Sequence, residues 1–410
     1  MSERSERVRC HHWLALVLLT LLGLLALGSM PVRGAPLQQT ITTVYLPLVV
    51  KNYDFTWRWL PPSQITLSPR PNHAPILVID RSGRPHILWD TYTSPRYIYH
   101  TYLTEQGWMA AAPVAESLGT SETLFPPIID SDGKLHLLWA NWFGSSVENP
   151  YRLSYAVFDG NQWSTEDEVV RSNADIQGMV QFDDQGAIRV TYTGVALLGS
   201  QIYQTQHTAE GWSQPVHIYL GGSHPIYLVW PDMAGGVHLY GNDAYNETLY
   251  HSYWLNGQFV IQGQIGTGKI LGRETQLDIQ NNLHVYWTGQ VPVPGDTVTG
   301  IYYQCLDASL NWSPQIMPSG QEEIAGPPSK AWDGQDGFAL AWKETAGNRV
   351  RLSLWDGCAQ GDVKTFLFAS DINWEVAAAA ISHAPRQACV LARELYSYEY
   401  TVVCAVILGD

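Results

Sequence analysis

Four histidines recur in one column of the sequence, His86, His136, His238 and His284, each six residues after an aspartate: Asp80, Asp130, Asp232 and Asp278. Imidazole is a common metal ligand, but a metal needs its ligands within about 2.0–2.2 Å of one point. Copies of one column in successive repeats cannot converge that way unless they line a common axis. The column therefore reads as structural histidine, bonded to a neighbouring turn or strand. Gly263-Gln-Ile-Gly-Thr-Gly268-Lys269 matches seven positions of a phosphate-binding loop. Ile270 stands where Mg²⁺ requires a hydroxyl, and no helix follows, so the segment reads as a Gly-rich connection between repeats. Asp130-Ser-Asp132-Gly133 offers only two carboxylates and reads as a turn rather than a calcium loop. Gly-x-Ser-x-Gly, His-Glu-x-x-His and Cys-x-x-Cys do not occur. No metal and no cofactor is expected.

These residues belong to a longer phrase with a period of about fifty residues: apolar strand, Asp-x-x-Gly, a His-φ-φ-Trp strand, a variable loop, a third strand, then Gly-Trp. The second-strand column holds His86, His136, Arg189, His238, His284, Ala339 and Cys389. The turn is opened by Asp80, Asp130, Asp183, Asp232, Asp278 and Asp333 and closed by Gly83, Gly133, Gly186, Gly235, Asn281 and Gly337. Asp accepts backbone N–H bonds at the first position, and Gly or Asn tolerates positive φ near the end. Segments such as Ile87-Leu-Trp89 and Leu137-Leu-Trp139 are apolar on both faces, as in strands sandwiched between sheets. Fourth strands are expected to begin near Trp108, Trp163, Trp212, Phe259 and Trp312. The segment Gly289 to Gly300 is expected to form a mobile insert.

Four strands per repeat and no helical period describe an all-β, seven-bladed β-propeller with four-stranded antiparallel blades. The last repeat ends after three strands. Residues 56–68, with Trp57, Trp59 and Ile65-Thr-Leu67, read as the missing fourth, so an N-terminal strand closes the ring and removes its open edge. Cys389 and Cys404 are symmetric about a turn near Tyr396, which allows either a cross-strand disulfide or two small buried hydrophobes. Cys305 and Cys358 are expected to be free thiols.

Composition agrees: 410 residues are 45% hydrophobic and only 15% charged, with 17 Trp, 22 Tyr, 35 Gly and 24 Pro, which suits many short strands and tight turns. A formal charge of −15 without a dense basic cluster argues against nucleic acid and anionic lipid as partners. Arg4, Arg7 and Arg9 precede an apolar run from Trp13 to Leu27, the pattern of an export signal. Residues 1–35 are read as the signal, with cleavage near Ala26 to Gly28 or at Ala35. Residues 36–55 are read as a linker and 56–410 as the propeller. Tyr45 to Val50 resembles a segment that follows the signal in exported bacterial proteins. An extracellular or cell-surface monomer follows, touching membrane only if the signal remains uncut.

The Asp-x-x-Gly-x-x-His-φ-φ-Trp phrase with its Ile-Tyr and Gly-Trp resembles the repeats of sialidase-like (BNR-type) propellers and their non-catalytic relatives. The resemblance runs from residue 57 onward, although the strict Ser-x-Asp-x-Gly-x-Thr-Trp box is absent. It implies a search for three arginines, a Tyr with a Glu partner and an Asp. The face formed by second-to-third-strand loops and interblade links offers Arg70, Arg96, Arg273 and Arg393, with Asp90, Asp243, Glu274, Glu344, Glu394 and Tyr396. A binding role asks less. Rings such as Tyr92, Trp142, Phe143 and Tyr245 can stack on sugars, and Asn141, Asn242, Asp243 and Glu394 can bond hydroxyls. The expected ligand-binding set is Tyr92, Arg96, Trp142, Asp243, Arg273, Glu274, Arg393 and Glu394. The expected role is binding of an extracellular ligand, a glycan by preference. The alternatives are a sialidase-like glycoside hydrolase and a protein-interaction scaffold at the cell surface.

Overall fold

The computed structural model describes residues 57–407 apart from residues 74, 257 and 279 and the segments 61–62, 92–95, 118–120, 145–147, 174–175, 183–185, 197–198, 221–225, 233–235, 243–247, 268–269, 294–295, 321–322, 333–336, 346–348, 368–373, 383–386 and 395–398. The expected signal and linker lie outside the described residues. Strands form seven antiparallel sheets, and the described residues contain no helix.

Blade 1 comprises Ile76–Ile79, Pro85–Asp90, Arg96–Thr104 and Ala112–Ser117. Blade 2 begins with a broken first strand, Ser121–Leu124 and Ile128–Ile129, and continues through Leu135–Trp142, Tyr151–Phe158 and Asp167–Ser172. Blade 3 holds Ile176–Phe182, Ile188–Ala196, Gly199–Thr208 and Val216–Leu220; blade 4 holds Ile226–Pro231, Val237–Asn242, Thr248–Leu255 and Gln258–Thr267. In blade 5, Ile270–Leu277, Leu283–Val293 and Asp296–Leu306 are edged by bridges from Trp312 and Ile316. Blade 6 is Ser329–Trp332, Gly337–Lys343, Arg349–Asp356 and Ala359–Leu367. Blade 7 is Trp374–Ser382, Gln387–Glu394 and Glu399–Ile407, completed by Trp57–Trp59 and Ser63–Thr66, which pair with Glu399–Ile407.

The period-two alternation of each strand turns alternate side chains toward opposite neighbouring blades. In blade 1, Ile87 and Trp89 pack against Cys389, Leu391 and Val402 of blade 7, whereas Leu88 packs against Leu137 and Trp139 of blade 2. Similar apolar clusters join blades 2 and 3, 3 and 4, 4 and 5, 5 and 6, and 6 and 7. The chain therefore closes on itself through the blade 7 to blade 1 seam. Trp89, Trp139, Trp287 and Trp342, on the second strands of blades 1, 2, 5 and 6, are at most 1% exposed. Burying each contributes on the order of 3 kcal/mol.

The repeated turn has the geometry its residues demand. Asp80 Oδ1 accepts N–H bonds from Ser82 and Arg84, both at 2.9 Å, and Asp130 and Asp278 repeat the arrangement. Gly83, Gly133 and Asn281 close these turns with φ of 83°, 83° and 62°, and Gly186 has φ of 78°. Asp132 sits in such a turn and faces Lys134, 3.5 Å away.

Three expectations are corrected. The Gly-Trp dipeptides do not open the fourth strands. Gly107–Trp108 and Gly211–Trp212 hairpin back onto the third strand, and the fourth strand starts four residues after the Trp. Cys305 and Cys358 are bonded to each other, tying blade 5 to blade 6. Gly289 to Gly300 is an extension of the blade 5 hairpin, paired from Gly289↔Gly300 to Val293↔Asp296, because its alternating Val and Thr side chains favour strand. In addition, Gly263 to Thr267 belongs to the outer strand of blade 4 rather than to a connection. Cys389 and Cys404 are register partners and disulfide-bonded.

Candidate functional site

The ring has two faces. The turn face carries the Asp turns, and the loop face carries the second-to-third-strand loops and the interblade links.

On the turn face each repeating histidine is used up by structure. His86 Nε2 lies 3.2 Å from Asp80 Oδ2, and its Nδ1 lies 2.9 Å from His100 Nε2. Trp163 of blade 2 donates its indole N–H to His100 Nδ1 at 3.1 Å. One ordering satisfies every atom: Trp163 donates to His100, His100 to His86, and His86 to the Asp80 carboxylate. His136 bridges Asp130 and the Tyr155 hydroxyl, and His284 bridges Asp278 and the Tyr303 hydroxyl. His238 contacts His251 at 3.0 Å, while Asp232 takes the Tyr253 O–H. A tryptophan from the next blade packs on each third-strand partner: Trp212 on Tyr155, Trp312 on His251 and Trp355 on Tyr303. Trp163, Trp212 and Trp312, from the column after the third strand, and Trp355, from the third strand of blade 6, are thus interblade latches.

Burial lowers the His86 and His136 pKa values, and the Asp80 and Asp130 carboxylates oppose the shift without cancelling it. Burial holds His238 down at about 4. His251 is held at about 3 and His100 at about 2, each by burial reinforced by its histidine neighbour. Burial would raise Asp80, but bonds from His86, Ser82 and Arg84 outweigh it and hold that carboxyl well below the usual range. Among the described residues no group of three metal-binding side chains forms.

The loop face of blade 1 is different. Asp90 ends the second strand and is 1% exposed. Its Oδ2 accepts Asn72 Nδ2 and His73 Nδ1, each at 2.9 Å, and its Oδ1 accepts the His73 backbone N–H at 3.3 Å. Asn72 Nδ2 also lies 3.1 Å from His73 Nδ1. The link carrying these residues is fixed by Asn72 N–H donating to the Asp90 carbonyl and by Trp89 Nε1–H donating to the Pro69 carbonyl. The His73 side chain is 60% exposed. Its Nδ1–H points into the carboxylate, which leaves Nε2 as the ring's acceptor.

Blade 2 supplies aromatic rings and cations on the same face. Trp142 and Phe143 are half-buried. The Arg152 and Arg171 guanidinium carbons lie 4.9 and 5.6 Å from the Phe143 ring centroid. Glu166 and Glu168 pair with these arginines. Asn141 beside them is 1% exposed, and neither its Oδ1 nor its Nδ2 has a hydrogen-bond partner. Between the blades runs a cavity of about 440 Å³ lined by first strands of all seven, including Ile76, Leu124, Met179, Trp230, Gln276, Lys330 and Ala379. Pro75, two residues after His73 in the chain, lines it too.

Of the expected binding residues, Arg96 and Trp142 lie on this face, at the start of the blade 1 third strand and the end of the blade 2 second strand. Arg393 and Glu394 end the blade 7 second strand, opposite Glu375 and Trp374. Arg273 and Glu274 lie elsewhere on the ring. They sit midway along the innermost strand of blade 5, opposite Trp287 and Tyr286, because Ile270–Leu277 begins directly after the interblade link. Tyr92, Asp243, Tyr245 and Tyr396 lie outside the described residues. Glu344, considered as an acid, is 1% exposed and held by Arg349 Nε at 2.6 Å and Arg351 Nε at 2.5 Å. Residue types alone missed His73, Asn72, Arg152 and Arg171. The available signal was a histidine outside the repeating column, three residues after Arg70.

No protein-family model matches the chain, and no curated protein matches it. Solved structures with the same fold do. The polysaccharide lyase Uly1 is 12% identical with a TM-score of 0.50, over 84% of this chain and 91% of that one. An ulvan lyase of polysaccharide lyase family PL25, bound to a -[GlcA(1-4)Rha3S]- fragment, is 11% identical with a TM-score of 0.53, over 84% and 95%. Hydrazine synthase from Kuenenia stuttgartiensis is 10% identical with a TM-score of 0.51, over 82% and 96%. Identities this low establish the shared propeller fold alone.

Proposed function

We propose that the chain is an exported protein whose propeller binds an acidic glycan on the loop face of blades 1 and 2. The observation that carries the reading is the half-buried Trp142–Phe143 pair with the Arg152 and Arg171 guanidinium groups against Phe143. A ring offers its face to the C–H side of a sugar, and the Arg171 guanidinium, 41% exposed on its side chain, can meet a carboxylate or sulfate beside its bond to Glu168. Arg70 and Arg96 add positive charge to the same face in a chain whose formal charge is −15. That the fold also serves proteins named as polysaccharide lyases, one of them holding a sulfated uronate disaccharide, supports the ligand class. The export signal, extracellular placement and monomeric state belong to this reading.

The test is a glycan array followed by calorimetry with wild type and Phe143→Ala. Binding confined to uronate or sulfated glycans and weakened at least about tenfold by the substitution supports the reading. Silence across the array overturns it in favour of a protein partner. Release from fluorogenic sialosides would reassign the site to a sialidase-like hydrolase.

A further inference from the structure

The loop face holds one feature that binding does not need: a solvent-facing imidazole whose ring is fixed by a buried carboxylate. We propose that His73, oriented by Asp90, is the general base of a β-elimination on a uronate-containing polysaccharide. The inference rests on the acidic-glycan reading and goes beyond it by assigning a reaction.

The geometry separates this histidine from the repeating ones. Its Nδ1 lies 2.9 Å from Asp90 Oδ2, and the Asp90 side chain is 2% exposed against 60% for His73. Asn72 holds the same oxygen at 2.9 Å, so the acceptor is fixed from two sides. A base is most useful when one nitrogen is anchored and the other faces the substrate. Arg70 lies three residues before His73 in the same interblade link, and Arg96 opens the third strand of the same blade.

The chemistry of the ligand names the reaction. In a uronate residue, C5–H is adjacent to a carboxylate and becomes removable when a cation neutralises that charge. An arginine on this face supplies the cation. His73 Nε2 takes the C5 proton, and the C5–H electron pair becomes the C4=C5 double bond. The C4–O bond to the next sugar breaks with its electrons on oxygen. That oxygen takes a proton from the imidazolium or from water and leaves as a hydroxyl. Atoms and charge balance without oxidant, metal or cofactor.

Wild type, His73→Gln and His73→Ala are incubated with polygalacturonate, alginate, hyaluronate and ulvan. Turnover is followed by ultraviolet absorbance of the conjugated product, and binding of each polymer is measured in parallel. Expected are an absorbance rise with at least one polymer, a fall of about 10²-fold or more in His73→Gln with its binding retained, and partial recovery of His73→Ala by added imidazole. Asp90 is a positioning residue. Asp90→Asn should lower turnover while leaving the substrate concentration for half-maximal rate within about twofold, since a neutral amide no longer selects the same tautomer. Binding without unsaturated product, or full turnover in His73→Gln, overturns the elimination alone. Absence of binding to every polymer overturns the acidic-glycan reading as well.

Discussion

Aspartate and histidine meet on both faces of this ring, with opposite consequences. On the turn face His86 is 1% exposed, and both of its nitrogens are engaged, by Asp80 and by His100. On the loop face His73 is 60% exposed on its side chain and is anchored through Nδ1 to Asp90. The same two residue types are a structural latch where burial engages both nitrogens and a chemical tool where one nitrogen faces solvent. Pairing alone does not mark a site; the remaining valence of the imidazole does.

Acid is the largest perturbation that should break this contrast. The folded pKa values of His100, His238 and His251 are depressed below 6.5. The unfolded chain therefore binds more protons as the pH falls. The histidine contribution is fully present above pH 6.5 and is lost from there downward, at roughly 1.4 kcal/mol per pH unit for each protonated group. Between pH 6.5 and 4 the loss should reach on the order of 3 kcal/mol for each such buried histidine, read as a falling denaturant midpoint. A midpoint independent of pH across that window would contradict the latch.

The next effect belongs to the turn face where the latch is absent. Blades 6 and 7 carry Ala339 and Cys389 in the histidine column, and the Cys305–Cys358 and Cys389–Cys404 bonds lie beside them. Cys305 is the register partner of His284, so the first bond takes over where the histidine ladder ends. Spanning 53 residues, it should contribute about 4 kcal/mol, roughly 1 more than the 15-residue Cys389–Cys404 loop. Denaturant titration of Cys358→Ser and Cys404→Ser variants measures the difference.

His136→Leu strands the Asp130 carboxylate and the Tyr155 hydroxyl and should cost about 2–3 kcal/mol while leaving glycan binding intact. Gly133→Ala meets only the Arg81 Cβ at 3.9 Å, so its cost of about 1 kcal/mol comes from φ of +83° alone. His73→Gln, at the opposite extreme, should change the unfolding free energy by less than about 0.5 kcal/mol. A loss as large as that of His136→Leu would place His73 among the latches.

The latch and the ring were legible because each depends on a column. Asp80, Gly83, His86 and Trp89 recur at fixed spacing since one turn and one buried strand are built repeatedly, and the unfinished last repeat pointed to residues 56–68. The Cys305–Cys358 bond was not legible, because it joins two blades and hairpin symmetry relates only residues within one. The His73–Asp90 pair was hidden for a related reason. Asp90 was named for its place on the face, but its partner lies in an interblade link, where no column recurs and where a two-residue shift would carry the ring away from the carboxylate.

The most direct measurement is hydrogen–deuterium exchange with and without a uronate oligosaccharide. The account expects new protection in residues 68–73, 90–91 and 141–144 and no change in the turns at 80–84 and 130–134. Protection confined to those turns, with the loop face unaffected, would contradict it.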